Sequence, residues 1–252
     1  MQLGKGVLVK QADLWGGLRQ GVLLGAAAVV MILPPAGLAT APLRSAAPGH
    51  AEALLADTRI ADFDGHPAST DAHLVADWIA RSQDNRHLPF AILDKRDARV
   101  FVFDAGARLI DSSPVLLGAA PGDDSVVGIG KRPIAEVRPE ERTTPAGRFI
   151  SQPGRNASGE DVVWVDYNAA VSMHRVRPVD PKERRLERLA SNDPAQRRIS
   201  YGCINVPVAF FDGVVKPVLG TQRAVVYVLP ETRQVDATFA KVRANGPQAR
   251  TM

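Results

Sequence analysis

Cysteine is almost missing from this chain: Cys203 is the only one in 252 residues. One thiol can close no internal disulfide and build no thiolate zinc cluster, so it is either a buried bystander or a reagent. Histidine thins out as well, since of five only His174 follows residue 87. The earlier His66, His73 and His87 have a spacing that fits no metal motif. Apolar residues make up 45% and charged residues 23%, with a mean hydropathy of −0.08. That balance excludes a multi-span membrane protein, a coiled coil, a collagen-like fibre and a disordered tail protein. Net positive charge is also scarcer than the pI of 9.5 suggests. Of the formal +4, Lys5, Lys10 and Arg19 against Asp13 supply +2 before residue 42. The remaining chain is too nearly neutral for a strong electrostatic pull on DNA or RNA, so nucleic acid is not an expected partner.

What is present at the amino terminus has the three parts of an export signal. The basic residues precede an apolar run from Val22 to Leu33, then Pro34 and Pro35, then Ala39-Thr40-Ala41. Twelve apolar residues fall short of the roughly 20 that a helix needs to span a bilayer. Residues 1–41 are therefore expected to be a signal peptide or an N-terminal anchor, with membrane contact only if the segment stays uncleaved. Either way the rest is expected outside the cytoplasm, periplasmic or cell-wall associated. Residues 42–88 read as a loose linker and a short helical segment. Ser69, Thr70 or Asp71 can cap a helix that puts Leu74, Val75, Trp78 and Ile79 on one face.

Beyond Pro89 short apolar or alternating runs are separated by turn residues: Phe90 to Leu93, Arg99 to Phe103, Leu109 to Leu117, Arg148 to Ser151, Val162 to Tyr167, Ala170 to Val176 and Ala224 to Leu229. The pattern predicts a mostly β domain over 89–231, a largely antiparallel sandwich or barrel with a few inserted helices, followed by a polar tail over 232–252. One insert is charged. Asp180-Pro181-Lys182-Glu183 offers a cap, a first-turn proline and a capping-box glutamate, and Ser191-Asn192-Asp193-Pro194 closes the helix. Arg177 to Arg198 carries seven basic and four acidic side chains. It is either a solvated helix on a long loop or a lid that meets an anionic substrate.

Cys203 lies in Ile199-Ser200-Tyr201-Gly202-Cys203-Ile204-Asn205-Val206-Pro207. Pro207 is suited to the first position of a helix running through Phe210 and Phe211, so the thiol is expected to feel the positive end of a helix dipole. Gly202 permits a sharp turn and is expected to leave its own N–H open to a substrate oxygen. A nucleophilic thiol needs a base, and the alternating run Ala170-Val171-Ser172-Met173-His174 reads as a strand that delivers one imidazole. An exposed histidine at a strand end and a packing cysteine are the plainer alternatives for each residue taken alone.

Together these residues resemble the L,D-transpeptidase (YkuD-type) catalytic domain. His174, a spacer and then Ser200-Tyr201-Gly202-Cys203-Ile204-Asn205 match the family's order of His, spacer, Ser or Thr, His, Gly, Cys, an apolar residue, and Arg or Asn. Thr143-Thr144-Pro145-Ala146-Gly147-Arg148-Phe149 resembles its T-P-x-G-x-F segment, and Ser113-Pro114-Val115-Leu116-Leu117-Gly118 the strand before it. The resemblance implies a sandwich-like β fold and acyl transfer on peptidoglycan stem peptides. It makes Cys203 the nucleophile and His174 the base, with the Arg175 carbonyl holding the imidazole tautomer. Gly202 and Tyr201 would serve the oxyanion or the substrate, and Ser200 and Asn205 would brace the turn. No metal and no cofactor is called for. The acceptor would be a stem-peptide amine, a D-amino acid, a lysine on a wall-tethered protein, or water. A wall-binding protein with a drifted site and a wall-amide hydrolase with the same dyad are the rivals. The sequence departs from the family twice: Tyr201 replaces a second histidine, and His174 and Cys203 stand 29 positions apart because of the charged insert.

Overall fold

Two strands with no polar alternation mark the centre of the molecule. Phe90–Asp94 (β1) and Ala224–Val228 (β10) are buried at every position, as strands covered on both faces must be. The computed structural model describes residues 59–240 and 242. The amino-terminal segment read as a signal or anchor lies outside the described residues.

The other strands are Arg99–Phe103 (β2), Leu109–Pro114 (β3), Leu117–Gly118 (β4), Gly147–Arg155 (β5), Asp161–Asp166 (β6), Val171–Arg175 (β7), Arg198–Ser200 (β8) and Ile204–Val206 (β9). Eight form one sheet in the order β3-β2-β1-β10-β5-β6-β7-β9, and β4 pairs with β8. The protein is thus mostly β, a large sheet with a few short helices. The sheet is mixed where antiparallel pairing was expected: β1 with β10 and β7 with β9 run parallel, as do β4 and β8. Each parallel pair joins segments far apart in sequence, so no hairpin constrains their direction.

Period-two alternation splits the core between the faces of this sheet. Ala91, Leu93, Val226 and Val228 point to one face, where they meet Phe210, Phe211, Val215 and Leu219. Those four residues come from a helical stretch over 208–219 (α3), which is α-helical at Val208–Phe210, π-helical at Phe211–Val215 and α-helical again at Lys216–Leu219. Phe90, Ile92, Val225 and Tyr227 point to the other face, beneath the helix Thr70–Ser82 (α1). Ser69 caps α1 by accepting from the Ala72 N–H at 3.1 Å, and Gln83 ends it in the left-handed region at φ 53°. Its buried face is Ala72, Val75, Ala76, Trp78 and Ile79. Full burial of Val75 or Ile79 is worth about 1.5–3 kcal/mol each. The short helix Val235–Thr238 (α4) adds Val235, and Phe239 and Val242 follow it into the same cluster. Boundaries at residues 88 and 232 therefore both cut through one apolar cluster.

Several predicted elements differ in detail. The run Leu109 to Leu117 is two strands: Pro114 has no N–H for a ladder, and beyond it Leu116 turns to exchange backbone hydrogen bonds with Asn205. The charged insert is not one helix, because Arg184 sits in the left-handed region at φ 50° and separates a 3-10 turn, Pro181–Glu183, from the helix Arg185–Ala190 (α2). Pro207 takes the N-cap position of α3 rather than its first turn.

Candidate active site

Parallel register at the sheet edge brings the two chemical residues together. On β7 and β9, Met173 pairs with Ile204 and His174 with Asn205. One residue further back, that register sets Cys203 against Ser172, and the Cys203 sulfur lies 3.8 Å from the Ser172 hydroxyl. Ser172 and His174 share one face of β7, opposite the buried Met173.

The turn between β8 and β9 holds the thiol by its carbonyls. Gly202 has φ 127°, and a Cβ there would stand 2.7 Å from the Thr143 carbonyl oxygen, so conformation and space both demand glycine. Thr144 Oγ1 donates to the Gly202 carbonyl at 2.9 Å and accepts from the Gly118 N–H at 3.0 Å. Ser200 Oγ donates to the Cys203 carbonyl at 2.6 Å and accepts from the Gly202 N–H at 3.1 Å. The fully buried Asn205 donates to the same Cys203 carbonyl from Nδ2 at 3.2 Å. Two donors on one carbonyl fix the residue whose side chain must be aimed.

His174 is oriented by its own neighbour. Nδ1–H donates to the Arg175 carbonyl at 2.8 Å, a tautomer assigned from the partner, which is a pure acceptor. That leaves Nε2 with a lone pair for the thiol proton. Burial disfavours the Cys203 thiolate, but the facing imidazole, the Ser172 N–H and the Ser172 hydroxyl outweigh it and hold the thiol below its ordinary value. Burial likewise opposes the charged imidazole, yet the thiolate and the Arg175 carbonyl raise His174 above its ordinary value. The two shifts run toward each other, so the thiolate–imidazolium pair forms more readily here than from the two groups apart.

Each sequence-predicted site residue can now be placed. Cys203, His174, Ser200, Gly202 and Asn205 converge, and Arg175 contributes its carbonyl; its side chain turns to Asp212 and lies over the Phe211 ring at 4.3 Å. Tyr201 is half-exposed, with the Arg142 guanidinium 4.1 Å from its ring centroid. Two expectations fail. The Gly202 N–H is occupied by Ser200 Oγ, while the Tyr201 and Cys203 N–H groups of the turn have no acceptor among the described residues. The thiol also lies outside the reach of the α3 dipole, because the strand β9 separates them by three residues, roughly 10 Å. The imidazole, not a helix, supplies the positive charge. Sequence reading missed Ser172, whose signal was its i,i+2 relation to His174, and Thr144, which stood unweighed in the T-P-x-G-x-F segment. It also missed Arg185, which reaches out of the insert to donate from Nη1 to Asn205 Oδ1 at 2.8 Å. No group of residues suited to a metal ion occurs among the described residues.

No protein-family model matches the chain, and no curated protein matches it. Among solved structures it is similar to an L,D-transpeptidase from Xylanimonas cellulosilytica, at 13% identity and a TM-score of 0.36, over 56% of this chain and 60% of that one. It is similar to the helical cell shape determining protein of Campylobacter jejuni at 14% identity and a TM-score of 0.39, over 64% and 57% of the two chains. An Enterococcus faecium L,D-transpeptidase is 16% identical, with a TM-score of 0.31 over 56% and 49%. The match therefore spans no more than 60% of these proteins' lengths.

Proposed function

We propose that the chain is a cysteine-dependent L,D-transpeptidase that acts on peptidoglycan stem tetrapeptides through a Cys203 thioester and so crosslinks or modifies the cell wall. The observation that carries this reading is the parallel register that sets Cys203 against Ser172, its sulfur 3.8 Å from that hydroxyl, beside an imidazole whose far nitrogen is anchored on the Arg175 carbonyl at 2.8 Å. Cys203 and His174 are the residues that the sequence resemblance makes nucleophile and base.

The reaction follows from that pair. His174 Nε2 takes the thiol proton, and the sulfur attacks the carbonyl carbon that links the L-centre of the diamino acid to D-alanine. The resulting oxyanion is met by the Cys203 N–H, with the Tyr201 hydroxyl as a substrate-positioning donor. Collapse breaks the C–N bond, His174 returns its proton to the departing amine, and D-alanine leaves. An acceptor amine then attacks the thioester and gives its proton to His174, and the C–S bond breaks to release the crosslinked product. Water in place of the amine releases a tripeptide. A stem peptide, a D-amino acid and a lysine of a wall-tethered protein are all acceptors of suitable chemistry. The reading places the protein outside the cytoplasm, exported by the segment before residue 42. No helix among the described residues is long and apolar enough to cross a membrane.

Incubation with purified disaccharide tetrapeptide, followed by mass analysis, tests the reading. Dimer plus free D-alanine supports it, and tripeptide without dimer converts it to a hydrolase. Unchanged substrate favours the non-catalytic wall-binding alternative, for which Tyr201 in place of histidine is the motive.

A further inference from the structure

One side chain of the charged insert enters the site's hydrogen-bond network. Arg185 at the start of α2 is largely buried, with a side chain 14% exposed. Its Nε donates to Glu183 Oε2 at 2.5 Å and its Nη1 to Asn205 Oδ1 at 2.8 Å. Asn205 in turn holds the Cys203 carbonyl at 3.2 Å. The charge stands close enough to His174 to oppose protonation of the imidazole. Two edges of the guanidinium are thus fixed, and Nη2 has no hydrogen-bond partner among the described residues. A guanidinium held in this way is a planar donor prepared for an oxyanion, with little side-chain freedom left to lose.

We propose that Arg185 forms a carboxylate-recognition site beside the thiol, taking the terminal carboxylate of a peptide whose penultimate carbonyl is attacked by Cys203. The inference rests on the acyl-transfer reading and deepens it by naming what selects the donor. In a stem tetrapeptide the scissile carbonyl and the terminal carboxylate are one residue apart, a span of roughly 3.5 Å along the chain. Glu183 is the carboxylate that competes for the same guanidinium. His174 and Glu183 are the titratable groups that face Arg185, and Asn205 is its neutral partner.

Two thiol reagents of nearly equal size test this without any peptidoglycan. Iodoacetate and iodoacetamide both form the S–C bond and expel iodide, but only iodoacetate carries a carboxylate. The ratio of their rates on the native protein is compared with that on Arg185→Gln, Arg185→Lys and Glu183→Gln. Arg185→Gln should lower the iodoacetate-to-iodoacetamide ratio about tenfold, since one charge-assisted hydrogen bond is lost, and the ratio cancels any change in thiol ionisation that both reagents share. Arg185→Lys should keep part of the preference through its charge, and Glu183→Gln should raise the ratio by freeing the guanidinium. A ratio unmoved in both Arg185→Gln and Glu183→Gln would overturn the proposal and leave Arg185 as a strut between the insert and β9. Because the ratio requires no acyl transfer, a protein with the expected ratio but no peptidoglycan product would refute the functional reading alone.

Discussion

His174→Gln separates the electrostatic account of the thiol from simple exposure. In the native protein burial opposes the thiolate and the imidazole more than compensates, so the thiol ionises below the ordinary cysteine value of about 8.5. Glutamine keeps the bulk and removes the compensating charge, so burial is opposed only by the Ser172 N–H and hydroxyl and the thiol should ionise at higher pH than in the native protein. At pH 7 an ordinary thiol is ~3% ionised, which sets a ceiling of about thirtyfold on the gain from complete ionisation. Part of that gain is offset because a less basic thiolate is a weaker nucleophile. The assay is the iodoacetamide rate between about pH 5 and 10, the range that brackets both groups. The native profile should rise at lower pH than that of His174→Gln and be several-fold faster at pH 7. Since the two groups titrate as a unit, the native inflection belongs to the pair. Superimposable profiles would refute the reasoning, because the imidazole would then contribute nothing to the ionisation.

Other outcomes follow from the supports around the pair. Gly202→Ala should cost about 1–3 kcal/mol in chemical denaturation and slow thiol alkylation, since φ 127° and the 2.7 Å approach to Thr143 O exclude a Cβ. Ser200→Ala should lower thiol reactivity while the fold survives, because the Cys203 carbonyl keeps Asn205 as a donor; the Ser200→Ala, Asn205→Ala double variant should lose more than the sum of the single changes. Lys95→Met should destabilise by roughly 3–5 kcal/mol, measured by denaturant melts, because it takes the buried cation from Asp123, which pairs with Lys95 Nζ at 2.8 Å, while Glu231, 3.4 Å from that Nζ, keeps Arg198. Burial opposes the Asp123 carboxylate, but Lys95, Thr232 and the Glu231 N–H hold its pKa well below the usual range. Its stabilisation is therefore complete above the unfolded value of about 3.9 and lost as pH falls through the folded value, a loss that Asp123→Asn should abolish in Tm measured against pH.

Much of the fold was legible because period-two patterns announce strands wherever a run is long enough. Phe90–Asp94, Arg99–Phe103 and Ala224–Val228 fall where the apolar runs are. Arg198–Ser200 and Ile204–Val206 escaped because three residues cannot display a period, yet β9 is the strand that sets Cys203 against Ser172. Strand direction escaped for another reason: the parallel pairs of β1 with β10 and β7 with β9 are long-range choices that leave no mark on local sequence. Phe239 and Val242 read as isolated apolar residues in a polar tail, and only the tertiary structure shows them under α1. At the site, Cys203 and His174 were visible through their motif, whereas Thr144, Ser172 and Arg185 act through carbonyls and side chains that come together only after folding. The Gly202 N–H was misassigned because the side chain that takes it, Ser200 Oγ, was read only as a brace.

The central claim is that Cys203 becomes acylated by a peptide carbonyl, and intact mass after rapid acid quench measures that directly. Native protein mixed with disaccharide tetrapeptide should gain the mass of the substrate less D-alanine, and peptide mapping should place the addition on Cys203. Cys203→Ala should gain nothing, and added acceptor amine should discharge the native adduct. Product formation with no adduct on Cys203, or an adduct of the same mass on Cys203→Ala, would contradict the account.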